Sequence, residues 1–254
     1  MNDITQPLRL ATGNHKAGTG QGCAMNVLSW ENGDTTITDL PACTDRMLAY
    51  QVQRVNDKYC NQTEFGPLCP QCSVKVLALA HRTVGTGTLN LTGHERFSLW
   101  VQIAALIARS LETRLNDFRS PFVGLAKAEA WVAVNGFVAP DRVRDARAIA
   151  DAFPDTGLGG DAALVRAAQL AFLVAEGQGT SDGRFSARHP IAGFLRDGLA
   201  RFLFAHAGIH SSPDETFTAG DMVVDMFSAL TGFTPQPPDP HQTTMAVNRM
   251  MVVG

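Results

Sequence analysis

The sequence predicts a mainly α fold, a globular multi-helix bundle of about eight to ten helices with at most short β-strands. Three observations carry this reading. Apolar residues recur at three- and four-residue spacing through most of the stretch from 93 to 230. Helix-start signals precede several of these runs, the clearest being Thr92-x-x-Glu95. Strand-like runs are confined to two short pieces, 8–11 and 35–38.

Taken in order, residues 8–11 read as a short strand and 12–22 as a glycine-rich loop. A first helix follows over 22–31, with Met25, Val27 and Leu28 as its apolar positions and Asn32-Gly33 as its stop. After the strand-like 35–38, Pro41 leads into a helix capped by Thr44. That helix carries Met47, Leu48, Val52 and Val55 as far as Asn56-Asp57. A loop then gives way to a helix bearing Val74, Leu77, Leu79 and Ala80, broken by Gly-Thr-Gly-Thr at 85–88. Thr92 and Glu95 form a capping box, each satisfying a backbone amide at the start of the next helix. Its stripe of Phe97, Trp100, Ala104, Ile107 and Leu111 marks one buried face. Further helices are expected over 122–134, 140–153, 162–175, 190–206 and 218–230, with a last one over 243–253. The 162–175 run is apolar on nearly every side and is therefore expected to be central. These elements compose a single mainly helical domain, 1–254, with a Cys-rich N-terminal part (1–90) packed on a helical body (91–254).

A chain of 254 residues, 45% hydrophobic, can bury a sizeable core without disulfides. Its net charge is −3, and no basic stripe is offered to a phosphate backbone, which argues against nucleic acid as a main partner. The first ten residues lack the charged-then-apolar pattern of a signal peptide, and no apolar run approaches the ~20 residues that span a bilayer. The chain is expected to be soluble and cytoplasmic. Cys23, Cys43, Cys60, Cys69 and Cys72 all fall in the first third, and their odd number in such a chain points to reduced thiols.

His15, Cys23-x-Met25, Gly33-Asp34, Thr38-Asp39-x-Pro41 and Asn56-Asp57 follow one another in an order that resembles a widespread set of uncharacterised proteins of actinobacteria and their phages. That set has a His, a Cys-x-Met-Glu helix, a Gly-Glu, a Ser-Asp-x-Pro and an Asn-Asp, and Asn248-Arg249-Met250 is similar to its closing helix. The resemblance implies a shared fold, a phage-related origin and no stated activity. Asn26 stands where the set has glutamate, and Cys60, Cys69 and Cys72 lie outside its pattern.

Three polar clusters carry candidate chemistry. In the first, Gly18-x-Gly20-x-Gly22 runs into the helix whose first turn holds Cys23. Free backbone amides and a helix N-terminus would attract a small anion such as a nucleotide phosphate, with Asn26 alongside and Arg46 or Arg54 as counter-charge. The same field would lower the Cys23 thiol pKa, with His15 as base and Asp39 as orienting acid. No Gly-Lys-Ser/Thr or Gly-x-Gly-x-x-Gly accompanies it, and a cysteine buried as a small apolar group is the plain alternative.

The second cluster is Cys60, Cys69-Pro70-x-Cys72, with Cys43 upstream and His81 downstream as further ligands. A Cys-x-x-Cys pair lets two thiolates reach one zinc ion, and it is also the arrangement of a dithiol redox motif at a helix start. Free thiols in a loop are the third option. The last cluster is His206 and His210, four apart as on one helical face, with Asp214, Glu215, Asp221 and Asp225 beyond. Three functions stay open: a binding protein for a small anionic ligand, a Cys/His-dependent or metal-assisted hydrolase or transferase, and a structural or interaction protein.

Overall fold

The structure is a computed structural model that describes residues 9–13, 21–60, 67–114, 125–178 and 210–235. Among these the chain forms eight α-helices and no strand, in agreement with the mainly α expectation. They are α1 (Ala24–Glu31), α2 (Arg46–Lys58), α3 (Pro70–His81), α4 (Gly93–Arg114), α5 (Leu125–Asn135), α6 (Pro140–Asp151), α7 (Leu158–Gln178) and α8 (Pro213–Thr231). None of them is long and apolar enough to cross a membrane. The chain divides into two compact units, the second spanning Asn90–Phe233 and the first taking the residues before Asn90 together with those from Thr234 on. The helices expected over 190–206 and 243–253 lie outside the described residues, as do His15, Gly18, Gly20 and His206.

In the first unit, α1, α2 and α3 pack against one another around Met25, Leu28, Met47, Leu48, Val52, Val76 and Leu79, all buried. Of the pieces 8–11 and 35–38, read as strands from sequence, the described residues 9–11 and 35–38 form none. The first piece instead spends its backbone groups one by one on different partners. The Leu10 amide donates to Ser73 Oγ (3.0 Å), the Leu10 carbonyl accepts from the Leu68 amide (2.7 Å), and the Ala11 amide donates to the Gly22 carbonyl (3.0 Å). No ladder is needed where each buried group already has a partner. The cap of α2 is Asp45 rather than Thr44: Asp45 Oδ1 accepts the Met47 amide at 2.9 Å, while the Thr44 hydroxyl turns to Thr83.

Beyond α3 the chain makes a 3-10 turn, Thr86–Thr88, entered through Gly85 at φ 93°. The Gly85 and Gly87 amides both donate to the Cys43 carbonyl, at 2.8 and 3.1 Å. A Cβ on Gly87 would stand 2.1 Å from the Ala42 carbonyl oxygen, so only glycine allows this approach.

In the second unit α4 is central, packing against α5, α6, α7 and α8. The stripe expected from its sequence is buried in full, and Trp100 meets Phe227 of α8 with ring centroids 5.4 Å apart. The predicted capping box is present, the Glu95 amide donating to Thr92 Oγ1 (3.2 Å) and the Thr92 amide to Glu95 Oε2 (2.8 Å). Helix α8 begins earlier than residue 218, at Pro213, because Ser212 and Glu215 make a second capping box. Asp214, Glu215, Asp221 and Asp225 are therefore residues of this helix, and His210 lies exposed before it. Burial pushes the Glu215 carboxyl up, but hydrogen bonds from the Thr156 hydroxyl and from Ser212 outweigh it and hold the group below the usual range.

Candidate metal centre

Pro70 is the reason the thiol cluster has a shape. Its fixed φ suits the first position of a helix, where a missing N–H costs nothing, so α3 starts there and Cys69 becomes its N-cap. The Cys69 sulfur accepts the Cys72 amide at 3.4 Å, doing for this helix what a serine or aspartate oxygen does elsewhere. Cys72 lies in the same first turn. Before residues 61–66, Cys60 follows Tyr59, the C-cap of α2, and its sulfur accepts the Cys69 amide at 3.4 Å. The three sulfurs all lie within 4.8 Å of one another, each on a partly exposed residue.

Their proton affinities diverge for a local reason. The Cys72 amide and thiol both donate to Cys69 and hold its pKa below the ordinary thiol value. Burial, together with proximity to the sulfurs of Cys69 and Cys60, pushes the Cys72 thiol up to about 12. Three sulfurs this close resist carrying three negative charges, and a dication among them removes that resistance.

Cys43 and His81, expected as further ligands, do not join the group. The nine residues from Cys72 to His81 span roughly 13 Å of helix at about 1.5 Å per residue. His81 ends α3, where its Nε2 meets Glu31 Oε2 at 2.7 Å and ties α3 to α1. Cys43 is buried, its carbonyl held by the Gly85 and Gly87 amides and its thiol beside the Thr44 hydroxyl at 3.7 Å. Burial raises that thiol as well.

The structure does bring Cys23, Asn26 and Asp39 together, but not as an activated nucleophile. Asp39 Oδ1 accepts from Asn26 Nδ2 at 2.7 Å and from the Cys23 thiol at 3.6 Å. Cys23 is 1% exposed, and burial pushes its thiol up to about 12, with the Asp39 carboxylate adding to the rise. The amides of Asn26 and Met25 pull the other way and lose. The expected lowering by the helix N-terminus is thus overturned by desolvation.

Of the amides expected to capture an anion, those of Cys23 and Ala24 are engaged within the protein, and those of Gly18 and Gly20 lie outside the described residues. Cys23 N–H donates to Asn26 Oδ1 (3.0 Å) and Ala24 N–H to Asn56 Oδ1 (3.2 Å). Asn26 thereby fills the capping-box position that a glutamate usually takes. Gly22 is buried with its carbonyl accepting from Ala11. Arg46, exposed at the start of α2, stacks over its own Tyr50, and Arg54 on the same helix has a partner of its own. Native alkylation with iodoacetamide near pH 8 is therefore expected to label Cys60 and Cys69 first in metal-free protein and the open but proton-holding Cys72 more slowly, while Cys23 and Cys43 react only after denaturation. Peptide mass spectrometry reads the order, and early labelling of Cys23 would contradict it.

Asn56, read from sequence only as a helix end and as part of an Asn-Asp pair, is fully buried and joins three segments. Its Nδ2 donates to the Ala11 carbonyl at 2.7 Å while its Oδ1 accepts from Ala24, and neighbouring Asp57 Oδ1 accepts from Gly13 at 2.8 Å. In the second unit, a cleft of about 480 Å³ opens between α4, α5 and α6, lined by Ala105, Leu106, Val132, Val143 and Gln102. The Gln102 carbonyl oxygen is buried there without a hydrogen-bond partner. No protein-family model, curated protein or solved structure matches the chain.

Proposed function

We propose that the protein binds zinc through Cys60, Cys69 and Cys72, and that the ion fastens the end of α2 to the start of α3. The observation that carries this reading is the convergence of three partly exposed sulfurs within 4.8 Å. Thiolates are soft ligands that favour zinc over magnesium or calcium, and zinc takes four ligands at tetrahedral corners, of which these residues supply three. The amide donors at two of the sulfurs support the same reading, because they stabilise thiolate character and orient it. Capture of a small anion at the start of α1 draws no such support, since the Cys23 and Ala24 amides there are engaged by Asn26 and Asn56.

The test is native mass spectrometry, paired with elemental analysis, of the chain purified from cells without chelator. One zinc per chain is expected, lost on incubation with a strong chelator and absent from the Cys60→Ser/Cys69→Ser double variant. Metal-free protein that fails to take up added zinc would overturn the proposal.

A further inference from the structure

We infer that Cys69 and Cys72 form a reversible dithiol–disulfide couple, and that its oxidation by a small disulfide such as glutathione disulfide expels the metal. The second half rests on the zinc reading above, whereas the first half stands on the sulfur geometry alone.

The five cysteines sort by access. Cys23 and Cys43 are 1% and 7% exposed, whereas Cys60, Cys69 and Cys72 are all partly open to solvent. Exchange requires in-line approach of an outside disulfide, so only the open three can begin it. Among them Cys69 and Cys72 share the first turn of α3, the Cys-Pro-x-Cys placement in which a helix start holds two sulfurs side by side. Their sulfurs lie within 4.8 Å, and closing to the bond length of about 2.0 Å is within reach of side-chain rotation. Cys60 Sγ lies within the same 4.8 Å, but it follows the end of α2, so a Cys60–Cys69 bridge would link two segments instead of closing within one helix start.

The electrons balance without a further reagent. The Cys69 thiolate attacks one sulfur of glutathione disulfide, forming a mixed disulfide and releasing one glutathione thiolate. The Cys72 sulfur, freed of its proton or of the metal, then attacks Cys69 Sγ and releases the second glutathione thiolate. Two cysteine sulfurs are oxidised and one small disulfide is reduced to two thiols. Cys60 is left as a single thiolate, too few ligands to retain zinc, and the ion departs as a dication.

The experiment exposes zinc-loaded and chelator-stripped full-length chain to graded ratios of reduced to oxidised glutathione. Acid quenching and intact mass report thiols, and a colorimetric chelator reports released zinc. Stripped protein should lose two hydrogens in mass, and loaded protein should release one zinc for each disulfide formed, more slowly than stripped protein oxidises. Dithiothreitol should reverse both changes. Cys60→Ser should still form the disulfide, whereas Cys72→Ser should stop at a glutathione adduct on Cys69. If stripped protein forms no disulfide, or Cys60→Ser abolishes it, the couple is overturned while zinc binding stands. If the disulfide forms in a chain that never holds zinc, the metal reading falls and with it the expulsion step.

Discussion

Cys69→Ser is expected to weaken zinc binding by about a hundredfold or more. Structural zinc sites bind with an apparent 10–16 kcal/mol, so one ligand in four accounts for about 3 kcal/mol, and every 1.4 kcal/mol is a factor of ten. Cys69 should lie above that average because it also supplies the N-cap of α3 and the amide that Cys60 accepts. Competition with a chelator of known affinity measures the loss. Cys43→Ser and His81→Ala are the controls, and neither should change the affinity, because Cys43 faces the 85–87 turn and His81 the carboxylate of Glu31. The sign with pH follows from the same geometry. Zinc must displace the proton that burial and its sulfur neighbours hold on Cys72 up to about 12, so affinity falls as pH falls. An affinity flat between pH 6 and 8 would show that this thiol is not a ligand.

Much of the thiol cluster was legible because Cys-Pro-x-Cys encodes its own geometry. Proline sets the helix start and the spacing fixes the two sulfurs in one turn, both of them local effects. Cys43 and His81 lie outside the cluster of Cys60, Cys69 and Cys72, and for His81 the sequence itself carries the reason. A helix through Val74, Leu77 and Ala80 carries His81 to the far end of its own rod, out of reach of Cys72 by simple rise per residue. Cys43 offered no such check, since its position depends on how the turn after α3 folds back on residue 43.

The helices of the second unit were legible where apolar spacing and a capping box coincided, as in α4. They were misplaced where a start signal sat in a stretch rich in loop residues. Ser212-Pro213-x-Glu215 looks like a turn by composition, yet it opens α8 because proline at the first helical position and a reciprocal serine–glutamate cap both favour helix. Cys23 shows the opposite limit. Its place at a helix N-terminus is a sequence property, but its burial under residues from other segments is not, and burial decides its proton affinity.

Asn56→Ala is expected to destabilise the first unit by about 2–5 kcal/mol, a larger loss than most point changes cause. The asparagine is fully buried, and its amide closes two gaps at once, the Ala11 carbonyl on one side and the Ala24 amide on the other. Removing it leaves a buried acceptor and a buried donor without partners, each costing about 1–3 kcal/mol. Asn56→Asp separates this mechanism from simple loss of volume. The carboxylate keeps the shape and can still accept from Ala24, but it cannot donate to Ala11 and would sit beside Asp57 as a second negative charge. It should therefore destabilise at neutral pH and recover part of the loss on acidification, when protonation restores a donor and removes the repulsion. Chemical denaturation at two pH values reads both effects. If Asn56→Ala melts like the parent chain, residues 9–13 are not held to α1 and α2 through this side chain, and the capping of α1 must rest on Asn26 alone.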